Sequence, residues 1–150
     1  MKKEVKNKKL KAVLSKKAGW GILAILVILD ASLDLIFTGG AGLQSPIWKP
    51  ISNFLKINNP LFLTPLVLII FYFGIKGSAW LARKIDKVSI KSEELVLTAL
   101  VLVYGLFDLW LILVYFFNFS LFKSHYYLIP ILIVIALIYS LWAEKKLKEY

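Results

Sequence analysis

The sequence predicts an all-α integral membrane protein, a four-helix bundle with both termini in the cytoplasm. Three observations predict it. First, 59% of the 150 residues are hydrophobic and the mean hydropathy is +0.75, above the roughly 45–50% apolar content of soluble domains. Second, the apolar residues come in blocks of about 20, long enough to cross a hydrocarbon layer of roughly 30 Å as helix. They lack the polar–apolar alternation of barrel strands. Third, the basic residues are unevenly placed, in a way that an even number of spans explains.

Four spans are predicted, at about 20–37, 61–80, 95–117 and 126–142. Residues 1–19 form a basic tail, 20–143 the four-span domain and 144–150 a second basic tail. Eight lysines precede the first span, from Lys2 to Lys17. Lys76, Arg83, Lys84, Lys87 and Lys91 surround the turn between the second and third spans, and Lys145, Lys146 and Lys148 follow the fourth. Only Lys49, Lys56 and Lys123 fall on the opposite side, so the positive-inside rule places both termini in the cytoplasm. Tryptophan agrees: Trp20, Trp80 and Trp142 stand at the cytoplasmic span ends, where indole prefers the headgroup layer. The expected setting is the cell membrane of a prokaryote.

The opening lysines resemble the n-region of a signal peptide, but the apolar stretch after them is long and contains acids. It is therefore expected to be a retained span. The lysine tails are expected to touch anionic lipid head groups, and no nucleic-acid partner is expected. There is no cysteine, which excludes disulfides and thiolate metal sites.

Between the first two spans lies "TGGAGLQSPIWKPISNFLKINNP". Gly39, Gly40 and Gly42 are not followed by Lys-Ser/Thr nor preceded by a strand, so they form no P-loop. Ile51, Phe54 and Leu55 share one helix face opposite Ser52, Asn53 and Lys56, which predicts a short amphipathic helix on the outer surface. Pro50 suits its first turn. In the second span, Gly74 and Ser78 are four apart, a small-xxx-small spacing that nominates a helix-packing face.

The carboxylates carry the functional question. Asp30 and Asp34 are i, i+4 and share a face of the first span, with Thr38 one turn further out. Counted from the cytoplasmic ends, they lie about 15 and 21 Å deep, and Asp108 in the third span about 20 Å deep. Tyr104 and Tyr115 flank Asp108. A charge at mid-bilayer costs roughly 2.5–3.5 kcal/mol on insertion scales, and no lysine or arginine lies at that depth. The acids therefore share protons with hydroxyls, hold a cation, line a wet cavity, or meet a base from another subunit.

"DLIFT" at Asp34–Thr38 and "SPIWKPI" at Ser45–Ile51 resemble a family of small prokaryotic membrane proteins of unknown function. Its pattern places Asp-x-x-x-Thr in the first span, followed by a loop like Asn-Pro-Leu-x-Arg-Pro-Leu. The resemblance covers about the first half of the chain and implies that Asp34, Thr38, Pro46 and Pro50 are the family positions. The chain departs from it at Ser45, where Asn is usual, and in having a fourth span.

Other patterns do not fit. The Asp30–Asp34 spacing is one residue too long for the Asp-x-x-Asp-Gly of phospholipid-head-group transferases. Leu29–Asp30 and Phe107–Asp108 do not supply the Tyr-Asp and Gly-x-Gly-Asp of intramembrane aspartyl proteases. Small multidrug exporters share only the layout of four spans with an acid in the first. Haem and zinc ligands are lacking, and no cofactor is expected; whether the acids hold another metal stays open. The leading expectation is an accessory or structural membrane subunit with a buried acidic polar network. The alternative is a proton- or cation-coupled transporter or channel working as a homo-oligomer, and the third is a membrane-embedded enzyme.

Overall fold

A computed structural model of the chain describes residues 12–85, 91–119 and 125–148. The lysines at 2–11, Lys87, Lys123 and the side chain of His125 lie outside the described residues. Every regular element among the described residues is helical. The order is α1 (Lys16–Thr38), a 3-10 turn (Ala41–Gln44), α2 (Trp48–Leu55), a second 3-10 turn (Pro60–Leu63), α3 (Thr64–Ile85), α4 (Ser92–Phe117) and α5 (His125–Lys148). Four of these helices are long and apolar enough to cross a membrane.

Each long helix runs past its apolar block at the charged end. The reason is that hydropathy marks where lipid stops, whereas helix continues through Lys, Glu, Ala and Leu, all good helix formers. The ends that result are tied by charge. Glu93 at the start of α4 pairs with Lys16 of α1 at 2.9 Å and with Lys76 of α3 at 2.8 Å, and Arg83 donates to Ser92 Oγ at 3.2 Å. Lys148 and Glu144 pair one turn apart on α5. Just before α1, Leu14 N–H donates to Thr98 Oγ1 and Ala12 O accepts from the Tyr139 hydroxyl. These contacts bring the start of α1, the end of α3, the start of α4 and the C-terminal half of α5 to one end of the bundle.

α4 is the central helix, packing on α1, α3 and α5. Leu23, Val27, Ile75 and Leu97 form the innermost cluster between α1, α3 and α4, with Phe71 and Tyr104 against it. Gly19 permits the closest approach: a Cβ there would lie 2.6 Å from Leu97 Cδ2. α5 packs chiefly on α4, so the bundle is a three-helix core with a fourth helix laid along one side. The lateral surface is apolar, with Ile36, Phe73 and Leu141 all largely exposed. The surface is thus apolar as well as the core, as lipid-facing helices require.

Two local arrangements differ from what periodicity suggests. α2 rests on the chain through Ser52 alone of its polar side, Asn53 and Lys56 being exposed: Ser52 is 4% exposed, and its hydroxyl lies 3.1 Å from Lys49 O and 3.4 Å from Leu43 O. Its apolar side points away, with Phe54 86% exposed. A small side chain can sit flush on the 3-10 turn where phenylalanine would hold the helix off. Gly74 and Ser78 are exposed, with nothing near Gly74, while Ile75 and Ala79 take the buried face of α3. Among the described residues the small pair packs against no helix.

Candidate functional site

An open cavity of about 730 Å³ lies between α1, α3 and α4, walled on one side by residues 41–48. Its walls follow from helical spacing. Val27, Asp30, Ala31 and Asp34 form an i, i+3, i+4, i+7 stripe on α1; Thr64, Val67 and Phe71 line it from α3; Tyr104, Phe107, Leu111 and Tyr115 line it from α4. Tyr126 of α5 lines it as well, and among the described residues no lysine, arginine or histidine is on its walls.

Asp34 is committed to the turn that follows it. Gly39 and Gly40 have φ of 65° and 89°, a left-handed pair that glycine adopts without Cβ strain. Their N–H groups return to Leu35 O and Asp34 O, both at 3.2 Å. The chain then doubles back so that Gly42 N–H donates to both carboxylate oxygens of Asp34, each at 3.1 Å. The Thr38 hydroxyl lies 2.5 Å from Asp34 Oδ1 and 2.7 Å from Asp34 O, and it accepts from Ala41 N–H at 3.0 Å. A Cβ on residue 42 would come within 2.8 Å of Asp34 Oδ2, so any larger residue would push the carboxylate out of this arrangement. "DLIFTGGAG" is therefore one device, an acid and a threonine that hold the mouth of the cavity.

Asp30 serves a different purpose. Its Oδ2 accepts from the Tyr104 hydroxyl at 2.8 Å, a cross-link between α1 and α4. Tyr104 is itself wedged between aromatic neighbours, edge-to-face with Phe71 (centroids 5.7 Å apart) and with Phe107 (6.4 Å). Tyr115 stacks flat on Phe37 of α1 at 4.7 Å.

Asp108 does not line the cavity. At 100° per residue it falls beside the lining stripe, about 20° from Tyr115 and about 40° from Tyr104, yet it is only 1% exposed. Neither carboxylate oxygen has a hydrogen-bond partner among the described residues. Depth along the bilayer placed the three acids at one level; burial, not azimuth, keeps the third off the cavity wall. Buried and unpartnered atoms also occur at Thr64 Oγ1 and Trp110 Nε1.

Of the residues singled out from the sequence, Asp30, Asp34, Tyr104 and Tyr115 meet on one cavity. Thr38 supports it through Asp34, Asp108 lies behind it, and Gly74 and Ser78 take no part. Sequence reasoning missed Gly42, Thr64, Phe71 and Phe107. The spacing Thr64–Val67–Phe71 and the step from Tyr104 to Phe107 were signals for three of them. Among the described residues no group of three His, Cys, Asp or Glu could hold a metal ion. Comparison of the chain with family models, with curated proteins and with solved structures yields no match.

Proposed function

We propose that this chain is a multi-pass membrane protein, both termini cytoplasmic, that binds a cation in the cavity between α1, α3 and α4 and couples that binding to transport. One observation carries the reading. Two carboxylates from α1 reach the wall of one cavity of ligand-sized volume, and none of the described residues on that wall is basic. Intramembrane acids with no protein counter-charge are a functional signature rather than a packing device. The topology rests on the charge asymmetry of the sequence, and α2 suits the outer interface because its apolar face is free for lipid. A bundle with one helix laid on its side makes a thin wall, so transport favours a homo-oligomer; the exposed Gly74–Ser78 face of α3 is the surface through which copies would pack.

A second reading, an accessory subunit with a structural polar network, is favoured by the Asp30–Tyr104 cross-link. Melting of the detergent-purified protein separates the two. A ligand bound only by the folded state raises the melting point by mass action. Under the cation reading, at least one of Na⁺, K⁺, Mg²⁺ or an ammonium salt raises it for the wild type and not for Asp30→Asn. Equal melting in every salt, with Asp30→Asn as stable as wild type, would support the accessory reading instead.

A further inference from the structure

The cavity carries more detail than its charge. Beside Asp30 stand three rings from two helices, Phe71, Tyr104 and Phe107, held edge-to-face with one another. We infer that the site takes an organic ammonium ion, a quaternary or alkylated amine. The inference rests on the cation-binding reading above and names the class of cation.

The geometry points there for three reasons. A bare inorganic ion wants several oxygen ligands at short range, yet Asp34 already receives Gly42 N–H on both oxygens and Thr38 on one. That leaves chiefly Asp30, and one carboxylate with aromatic walls is a poor cage for a hard cation. A cavity of about 730 Å³ is also far larger than such an ion needs. Aromatic faces, by contrast, attract alkylated ammonium groups through the ring quadrupole, and do so more strongly where water is excluded. A carboxylate at the edge of such a wall supplies the counter-charge. The occupant is either a free amine or the choline head group of a lipid, which present the same chemistry.

The test uses the full chain in maltoside detergent and equilibrium dialysis of labelled choline, with quenching of Trp48, a lining residue, as a second readout. Tetrabutylammonium should displace choline, whereas the neutral isostere 3,3-dimethylbutanol should not. Asp30→Asn keeps an acceptor for Tyr104, and Phe107→Leu keeps an apolar wall; each should weaken choline binding about tenfold or more. Should either variant fail to fold, the competition between choline and its neutral isostere on the wild type decides alone.

Displacement by the neutral alcohol at equal concentration, or wild-type affinity in both variants, would overturn the inference. If Na⁺ or K⁺ stabilises the protein and no ammonium ion binds, the inference fails while the cation-binding reading stands. If no cation of either kind binds, both fail. In nanodiscs, choline displaced by phosphatidylcholine but not by phosphatidylglycerol supports a lipid source for the ligand; equal choline binding in both supports a free amine.

Discussion

The two ends of the bundle treat acids in opposite ways. At the charged end, Glu93 lies between Lys16 and Lys76, and the pairs tie three helices together where the chain enters and leaves. At the cavity end, Asp30 and Asp34 meet hydroxyls and backbone N–H groups and, among the described residues, no base. An acid between two lysines is a fastener. An acid held in place by neutral donors keeps its capacity for a cation, and that contrast is why the cavity rather than the charge cluster reads as the working site.

The sharpest way to break the contrast is at Gly42. Gly42→Val would drive a side chain into the Asp34 carboxylate, where even a Cβ is only 2.8 Å away, and the loop would open. A loss of about 2–3 kcal/mol is expected from overpacking together with a lost charge-assisted bond. Thermal melting should show it, and cation binding should go with it. An unchanged melting point would mean that the Asp34–Gly42 tie does not hold the loop.

Asp108 should behave in the opposite sense. With both oxygens buried and unpartnered, Asp108→Val is expected to stabilise the fold by about 1–3 kcal/mol, the penalty of an unsatisfied buried group. Denaturation in detergent would read the gain; a marked loss would reveal that the carboxyl has a partner or bears on the bundle some other way.

Tyr104→Phe removes one hydroxyl and leaves the ring. Hydrogen bonds between membrane helices average about 0.6 kcal/mol and reach about 1.7, so a loss in that range is expected, less than at Gly42. Cation affinity should be kept or rise, because Asp30 regains an acceptor site. A fall in affinity with stability intact would mean that the hydroxyl itself contacts the ligand.

The smallest effect belongs to the charged end. Glu93→Gln should lower the melting point only slightly, since its lysine partners are largely open to solvent and screened. The difference should vanish near ~1 M salt. A large, salt-independent loss would make this cluster more than a fastener.

Much of the fold was legible because lipid imposes length and polarity on a helix. The four apolar blocks correspond to the four long helices, and Asp30 and Asp34 share the face that their i, i+4 spacing requires. Tyr104 and Tyr115 could likewise be placed on one stripe of α4. The rest depended on information that periodicity does not hold. Depth could not say that Asp108 is buried off the cavity wall, because that depends on how closely α4 packs against its neighbours. The Asp34–Gly42 bond crosses an irregular turn through two left-handed glycines, where no helical spacing rule applies. The sides of α2 were legible from its pattern, but which side meets the chain depends on whether the neighbour is protein or lipid. For the same reason, the small residues at Gly74 and Ser78 marked a face without marking a partner.

The central claim is that the acid-lined cavity binds a cation through Asp30. Its most direct test is isothermal titration of the detergent-purified protein, wild type and Asp30→Asn, with choline chloride and with NaCl. One saturable site per chain is expected in the wild type for at least one of these cations, abolished or strongly weakened in Asp30→Asn with the fold retained. The same heats in both proteins, or no saturable binding in either, would contradict it.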